Sequence, residues 1–240
     1  MLKGISLDVT RGQCLGVVGE SGCGKTTLAS ALLGLVIPAQ GRILLEGEEL
    51  GRHRSSAQRR RIQMVFQDPV ASLNPRRTVR SVLSELMIHH KLVGRSGLDA
   101  ALKQIMDRVR LPAAALDAYP ARLSGGQRQR IAIARALVVQ PDVLVADEAV
   151  SALDVSVQAH IINLLRELCD DLGLTMIFIS HNLAVVRVLC DRVAVMHGGH
   201  VVEDRPTEAI FADPQHDYTR ALLKASLPMG ILNLSQTPTR

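Results

Sequence analysis

Residues 19–26 read Gly-Glu-Ser-Gly-Cys-Gly-Lys-Thr, and residue types in this pattern bind the phosphates of a nucleotide. The apolar stretch Cys14 to Val18 comes directly before them and predicts a buried strand. Glycines let the backbone turn so that consecutive N–H groups point at phosphate oxygens, and the helix predicted from Lys25 to about Leu35 adds its positive N-terminal end. We therefore expect Lys25 to reach the β- and γ-phosphates and Thr26 to ligate Mg²⁺.

An acid pair closes the apolar run from Asp142 to Glu148. A short run rich in β-branched residues predicts a central parallel strand, with the acids at its C-terminal edge. We expect Asp147 to hold Mg²⁺, directly or through water. Glu148 is then placed to orient or deprotonate the attacking water, because phosphoryl transfer depends mainly on positioning and charge neutralisation.

The segment Leu123 to Gln127 reads Leu-Ser-Gly-Gly-Gln and predicts the start of a helix, with Ser124 as its N-cap and its end near Val139. A helix N-terminus with free N–H groups binds anions. Together with the phosphate loop and the acid pair, this segment makes the chain resemble the ATP-binding cassette (ABC) superfamily. The resemblance implies an α/β fold, namely a P-loop NTPase with a RecA-like core and a β-subdomain, plus an inserted helical subdomain.

The resemblance also implies a dimer. In that family the segment beginning at Ser124 closes over the γ-phosphate of ATP held by the phosphate loop of the opposite subunit, so two ATP molecules lie at the interface. Gln67 matches the Q-loop, which touches Mg²⁺ or the water and signals to the membrane subunit. Ser151 to Asp154 match the D-loop, which contacts the opposite subunit, and His181 matches the switch histidine that contacts the γ-phosphate.

The candidate site residues fall into three groups. The predicted catalytic residues are Glu148, His181, Gln67 and Lys25. The predicted ATP-binding residues are Gly19, Glu20, Ser21, Gly22, Cys23, Gly24, Lys25, Thr26, Thr27, Ser124, Gly125, Gly126, Gln127 and Asp154. The predicted Mg²⁺ ligands are Thr26, Gln67 and Asp147.

Residues 67–75, Gln-Asp-Pro-Val-Ala-Ser-Leu-Asn-Pro, resemble the peptide and nickel importer branch of the family, as do residues 147–156 and 218–223. The resemblance implies an ATP-hydrolysing subunit that couples ATP binding, dimer closure and hydrolysis to uptake of peptides, nickel or a related small solute. Its implied partners are two membrane permease subunits and a second ABC ATPase, either a copy or a relative, with a solute-binding protein acting indirectly. The implied location is peripheral, at the cytoplasmic face of the inner membrane.

Three other classes stay open as alternatives. A non-transport ABC ATPase of the translation type normally carries two cassettes in one chain, and only one is found here. A DNA-repair ATPase needs a long coiled-coil insertion, and the stretch between Gln67 and Ser124 is too short for one. An exporter cassette is disfavoured by residues 67–75.

Length, hydrophobic content and charge narrow the possible classes of protein further. The chain has 240 residues, 47% of them hydrophobic, which suits one compact catalytic domain with a smaller insert. Its apolar runs are shorter than the ~18 residues that a membrane span requires. The net charge of +5 is dispersed except at residues 52–54 and 59–61, which we interpret as a solvated loop, with a partner or lipid contact as the alternative. No nucleic-acid partner is expected.

The four cysteines show no spacing typical of zinc sites or of a disulfide framework. Cys23, inside the phosphate loop, either senses nucleotide occupancy or is a tolerated small residue.

Residues 1–18 contain no Phe, Tyr, Trp or His, although the superfamily supplies an aromatic residue upstream of the phosphate loop to stack on adenine. Met1 also falls where the family is already inside its first sheet, so we expect an N-terminal truncation or a misassigned start.

We predict a single ABC ATPase domain over 1–240, with a nucleotide-binding core at 1–70 and 125–227, a helical subdomain at 71–124 and a loose tail at 228–240. The predicted strands are Ile5 to Val9, Cys14 to Val18, Arg42 to Leu45, Ile62 to Phe66, Val143 to Ala146 and Thr175 to Ser180. Besides the two helices above, the predicted helical stretches are Thr78 to Arg110, Ser156 to Leu172 and Leu183 to Leu189. Val193 to Met196 and Val201 to Glu203 predict a closing hairpin.

Overall fold

The computed structural model describes residues 2–69 and 73–226 of the chain. Among these residues the strands are β1 (Cys14–Val18), β2 (Leu44–Leu45), β3 (Glu48–Glu49), β4 (Ile62–Val65), β5 (Val143–Asp147), β6 (Thr175–Ile179), β7 (Arg192–His197) and β8 (His200–Pro206). The helices are α1 (Lys25–Leu32), α2 (Ser56–Arg61), α3 (Val79–His89), α4 (Leu98–Arg108), α5 (Gly125–Leu137), α6 (Val155–Leu172), α7 (Leu183–Leu189), α8 (Thr207–Ala212) and α9 (Asp217–Ser226).

A six-stranded sheet in the order β4-β5-β6-β1-β7-β8 organises the fold. The strands from β4 to β7 in this order run parallel, whereas β8 pairs antiparallel with β7. Strands β2 and β3 form a separate antiparallel pair. Because the carboxyl ends of parallel strands lie at one edge of a sheet, the segments that follow β1, β4, β5 and β6 meet there. These segments contain the phosphate loop, Gln67, Glu148 and His181.

Alternate residues of the parallel strands pack on opposite faces of the sheet, as strand geometry requires. Leu15 and Val17 of β1 belong to the core on one face, and Cys14 and Val18 belong to the core on the other. Both faces are therefore buried, which explains the nearly continuous apolar runs of these strands. Phe178 of β6 is fully buried, and burying such a side chain stabilises the fold by about 1.5–3 kcal/mol.

Helix α7 packs closely on β1 at Gly16. A Cβ at this position would lie 2.8 Å from Cγ1 of Val186 and 3.0 Å from Sγ of Cys190. Any larger residue would push the helix away from the sheet, so the absence of a side chain allows this close approach. This contact between α7 and Gly16 fixes the position of β1 and of the start of the phosphate loop, which follows β1.

Helices α3 and α4 pack against each other and against α5. Their buried faces include Leu83, Met87, Leu102 and Met106, which join one core with Ile131 of α5. The helical stretch predicted from Thr78 to Arg110 is present as two helices, because the chain turns between α3 and α4, where Gly94 and Gly97 lie. Glycine lowers helix stability by about 1 kcal/mol relative to alanine, which favours a break at this point.

Other predicted elements differ from the structure as well. Residues 5–9 form no strand, and their alternating apolar side chains pack on the core without backbone pairing to a strand among the described residues. The strand predicted from Arg42 to Leu45 is reduced to β2. The helix predicted to reach Leu35 ends at Leu32, because Gly34 adopts a left-handed φ of 74°.

The prediction of a solvated basic loop holds for residues 52 and 53, which are exposed and lie outside any helix or strand, but it is wrong for residues 59–61, which belong to α2. Arg54 is only 7% exposed, and its guanidinium donates hydrogen bonds to the last carbonyls of α1, at Ala31 (3.1 Å) and Leu32. A cation is favourable at a helix C-terminus because it faces the negative end of the helix dipole. Arg61 forms ion pairs with Glu46, Glu48 and Asp142.

The predicted closing hairpin is confirmed as β7 and β8. Met1, residues 70–72 of the branch-typical segment and the tail predicted at 228–240 lie outside the described residues. Within the described residues, no helix combines the length and the apolar character needed to cross a bilayer.

Candidate functional site

The phosphate loop connects β1 to α1, and glycines shape it. Gly19 has a φ of 150°, and a Cβ there would lie 2.2 Å from the carbonyl oxygen of Met196. Gly24 has a φ of 112°, and its added Cβ would lie 2.9 Å from Leu2. Gly22 also adopts a positive φ, of 82°. The loop therefore requires glycine at these positions, and residues 19–24 form the compact turn that the sequence predicts.

Lys25 begins α1 and turns its side chain back into the loop. The residue is only 7% exposed, and Nζ donates hydrogen bonds to the carbonyl oxygens of Gly19 (2.7 Å) and Glu20 (2.8 Å). These partners are uncharged, so the buried ammonium lacks a bonded counter-ion among the described residues. Because a buried charge is costly without an opposite charge, the pocket suits an anionic ligand.

The N-terminus of α1 is open to a ligand. Gly24 stands at the N-cap, no side chain caps the first turn, and the first turn contains no acidic residue. The first N–H groups of a helix have no partner inside it, and they carry the positive end of the helix dipole. Thr26 and Thr27 are exposed at this turn. Together with Lys25, these groups can bind phosphate oxygens.

Asp147 ends β5 beside Thr26. Burial raises the pKa of the Asp147 carboxyl, and the negative charge of Glu148 raises it further. A hydrogen bond from the Thr26 side chain and the positive charge of Lys25 act in the opposite direction. The hydroxyl and the carboxylate are neighbouring oxygen donors, the ligand type that Mg²⁺ prefers. The two residues therefore fit a Mg²⁺ site next to the phosphate-binding turn.

Glu148 follows with a strained backbone, since its φ is 48°. Non-glycine residues in this region cost about 1–3 kcal/mol, and such strain clusters at functional sites. Its N–H donates to the carbonyl of Ile179 (2.9 Å), and its own carbonyl accepts from the N–H of Ser151 (3.0 Å). These bonds hold the carboxylate so that Oε1 lies 3.0 Å from Nδ1 of His181, which follows β6. The predicted catalytic pair is thus brought together.

Gln67 lies at the same sheet edge, beyond β4. Its side-chain amide donates to the hydroxyl of Ser151 at 3.4 Å, and that hydroxyl in turn donates to the carbonyl of Glu148 at 2.9 Å. Among the described residues, the side-chain hydrogen bond of Gln67 thus reaches the Glu148 loop rather than Thr26 or Asp147. Its role as a Mg²⁺ ligand stays a prediction.

The segment that begins at Ser124 lies at the start of α5. The Ser124 hydroxyl accepts from the N–H of Gln127 (3.2 Å), and the Gln127 side chain accepts from the N–H of Ser124 (2.9 Å). This reciprocal capping box explains why the helix starts here. A Cβ at Gly126 would lie 2.6 Å from Cγ1 of Val157, so α5 packs directly on α6. Asp154 precedes α6 and makes no side-chain capping bond.

No hydrogen bond or ion pair between described residues joins residues 124–127 to the phosphate loop. The chain itself therefore brings together the loop, Asp147, Glu148 and His181, whereas no bond of this kind connects the predicted nucleotide-binding segment to the loop within the described part of the chain. Cys23 is 6% exposed and packs in the core under the loop, 3.8 Å from Nζ of Lys25.

Tyr218 of α9 contacts the phosphate loop, although in the sequence residues 218–223 indicate only the branch of the family. Its hydroxyl oxygen accepts a hydrogen bond from the N–H of Glu20 at 2.9 Å. Its ring lies 4.0 Å, centroid to centroid, from the ring of His197 at the end of β7. No local pattern predicts a contact between residues this far apart in the chain.

Comparisons with known proteins agree with this geometry. A family model described as ABC transporter matches residues 2–151. The chain is 47% identical over 228 residues to a putative peptide import ATP-binding protein of Brucella ovis, covering 94% of this chain and 72% of that protein. It is 49% identical over 229 residues to the dipeptide transport ATP-binding protein DppF of Haemophilus influenzae, covering 94% of this chain and 70% of that protein.

The fold is similar to that of cbiO1 from Clostridium perfringens, described as part of the ABC transporter complex cbiONQ. The TM-score is 0.82 at 32% identity, covering 88% of this chain and 84% of that chain. The sheet, the phosphate loop and these similarities lead to one conclusion: the chain belongs to the ABC transporter family and is an ATP-binding protein with the α/β fold of ABC ATPases.

Proposed function

We propose that this chain is the ATP-hydrolysing subunit of an importer that takes up peptides. The observation that carries the ATPase function is the buried Lys25 ammonium, which donates to the loop carbonyls of Gly19 and Glu20 and whose positive charge acts on the Asp147 carboxylate. Peptides are the solute class because relatives of 45–49% identity are named for peptide, dipeptide or oligopeptide transport.

Phosphate binding is the task of the loop and the first turn of α1. The free N–H groups of the first turn and the ammonium of Lys25 bind the β- and γ-phosphates, because these N–H groups and the ammonium carry positive charge and lie next to the same loop. Thr26 and Asp147 would hold Mg²⁺, which neutralises charge on the phosphate oxygens. Burial and, after it, the negative charge of Glu148 raise the pKa of Asp147, and a bound cation would stabilise its charged form.

Hydrolysis depends on Glu148 and His181. The Glu148 carboxylate orients the attacking water and accepts its proton, and the contact at 3.0 Å with His181 holds that carboxylate in place. The fixed backbone of Glu148 reduces the reorganisation needed at the moment of reaction.

Closure of the site needs a second ABC ATPase, either a copy of this chain or a relative. Because no hydrogen bond between described residues joins residues 124–127 to the loop of their own chain, we assign them to the ATP held by the partner, with Asp154 at the same interface. The bonds from Gln67 through Ser151 link the outer edge of the sheet to the backbone carbonyl of Glu148, the residue whose carboxylate activates the water. A permease that contacts the Gln67 region can thereby influence hydrolysis.

The proposed assembly has two permease subunits, with this chain at the cytoplasmic face of the inner membrane. A solute-binding protein delivers the peptide and does not touch the ATPase. The proposed division into a core, at 1–70 and 125–227, and a helical subdomain at 71–124 gives the permease two surfaces that move relative to each other on closure.

Glu148→Gln tests the hydrolytic role. ATP turnover should fall at least ~100-fold while ATP still binds, because the amide cannot accept the proton of the water. Size-exclusion chromatography with light scattering should then detect an ATP-bound dimer. Glu49→Gln, at an exposed position of β3, is the matched control and should keep wild-type turnover. Rapid turnover by Glu148→Gln would remove Glu148 from the mechanism.

The import function is tested by purifying the tagged chain from gently solubilised membranes of its own cell. Recovery with two permeases and a peptide-binding protein is expected, and cells carrying Glu148→Gln should lose uptake of a labelled dipeptide. Recovery with ribosomes or DNA would contradict the transport function and leave the ATPase chemistry in place.

A further inference from the structure

The peptide unit between Gly19 and Glu20 is held at both of its polar ends. The carbonyl oxygen of Gly19 accepts a hydrogen bond from Nζ of Lys25 at 2.7 Å. The N–H of Glu20, in the same peptide unit, donates to the hydroxyl oxygen of Tyr218 at 2.9 Å. Because a peptide unit is planar, a contact that fixes the N–H also fixes the direction of the carbonyl.

Tyr218 has a rigid support. The side chain of Glu203 accepts hydrogen bonds from the N–H groups of Gln215 (2.9 Å) and His216 (3.0 Å), which anchors the chain just before α9. The N–H of Tyr218 donates to Nδ1 of His216 at 3.1 Å. The tyrosine ring also lies against the His197 ring, with 4.0 Å between centroids. The phenol oxygen is therefore held in one place beside the loop.

We propose that Tyr218 is a positioning residue for ATP binding: its hydroxyl holds the Gly19–Glu20 peptide unit and thereby keeps the ammonium of Lys25 aimed at the phosphate site. The proposal rests on the ATPase function proposed above. An ammonium has three N–H donors, and the carbonyls of Gly19 and Glu20 take two of them. The third faces Sγ of Cys23 at 3.8 Å, a weak acceptor that a phosphate oxygen can replace.

The chain offers a second tyrosine as a control for this contact. The chain has two tyrosines and no tryptophan. The other tyrosine, Tyr119, precedes α5 and is 45% exposed. Burial raises the pKa of Tyr218, so its hydroxyl stays protonated and uncharged near neutral pH. An uncharged acceptor next to the loop holds the Glu20 N–H without repelling the phosphates of the ligand.

Tyr218→Phe tests the proposal, because it removes the hydroxyl and keeps the ring against His197. Tyr119→Phe is the matched control. Steady-state ATP hydrolysis by the full chain gives KM and kcat, and calorimetry gives the Kd for ATP and for inorganic tripolyphosphate. Losing one net hydrogen bond corresponds to about a fivefold change in an equilibrium constant. We expect KM and both Kd values to rise about fivefold, kcat to stay within about twofold, and Tyr119→Phe to match the wild type.

Three results would overturn the proposal. The first is an unchanged KM and Kd in Tyr218→Phe. The second is a weaker Kd for ATP with an unchanged Kd for tripolyphosphate, since Tyr218 would then act on the nucleoside and not through Lys25. The third is a large fall in the melting temperature of the nucleotide-free protein, with kcat and KM both changed, which indicates a general structural role. A wild-type chain without any turnover would contradict the proposed function, whereas the tripolyphosphate measurement would still decide the role of Tyr218.

Discussion

Gly126→Ala probes the contact between the N-terminus of α5 and α6. The added Cβ would lie 2.6 Å from Cγ1 of Val157, whereas carbon atoms rest about 3.5–4.0 Å apart. One of the two side chains must therefore move. Valine in a helix has one strongly preferred rotamer, so its methyl group cannot rotate away without strain.

Two effects of opposite sign set the size of the change. Alanine in place of glycine stabilises a helix interior by up to about 1 kcal/mol, which is an upper limit for Gly126 because it lies in the first turn. Overpacking in a well-packed region costs about 1–3 kcal/mol. We expect the clash to exceed the gain by about 1 kcal/mol, which lowers the melting temperature of a chain of this size by about 2–4 °C.

Thermal unfolding of the nucleotide-free protein measures this change. Val157→Ala removes the methyl group that clashes, so the double variant should be more stable than the sum of the single variants predicts, by about 1–2 kcal/mol. Gly97→Ala is the control, because a Cβ there meets nothing within 4 Å and the φ of Gly97 is −95°. A melting temperature of Gly126→Ala at or above that of the wild type, or strict additivity in the double variant, would refute the packing argument.

Three further variants test the site and its support. Lys25→Ala should abolish ATP binding in calorimetry, because the phosphates lose their nearest cation; affinity within tenfold of the wild type would contradict this. Burial raises the pKa of Asp147, so the stability linked to its protonation is present at low pH and is lost as the pH rises through the raised value. Asp147→Asn should therefore raise the melting temperature of the nucleotide-free protein at about pH 7, and the gain should shrink toward about pH 4; a pH-independent gain would argue against the mechanism. Arg61→Ala breaks the ion pairs with Glu46, Glu48 and Asp142 and should lower the free energy of unfolding in urea by about 1–2 kcal/mol, less in about 1 M salt; no loss at low salt would show that these exposed pairs contribute nothing.

Local pattern predicts the elements that carry the site. The strands β1, β5 and β6 follow from short apolar runs, and the start of α5 follows from the Ser124 capping box. The same reasoning fails for residues 5–9, whose alternation is typical of a strand although no strand pairs with them among the described residues. Alternation of apolar and polar residues indicates which side chains are buried. It does not indicate whether a second strand forms backbone hydrogen bonds with the segment.

Long-range contacts account for the other differences. Arg54 looks like part of a charged loop in the sequence, yet the end of α1 offers it carbonyl acceptors away from water. The bond between the Gln67 amide and Ser151 is likewise not predictable from the sequence, and it forms because the segments after β4 and β5 are neighbours at the sheet edge. Each partner comes from a distant part of the chain, so no window of sequence contains both.

The sequence by itself determined the chemistry of this protein. The glycines, Lys25 and Thr26 prescribe a phosphate-binding turn, and acids after an apolar strand must lie at the carboxyl edge of a parallel sheet. The tertiary structure alone decided which groups support that chemistry. The Tyr218 hydroxyl accepts a hydrogen bond from the Glu20 N–H, the Gln67 amide donates one to Ser151, and Val157 packs against Gly126. The physical reason is that backbone conformation follows from neighbouring residues, whereas the pairing of distant side chains depends on strand order and helix packing.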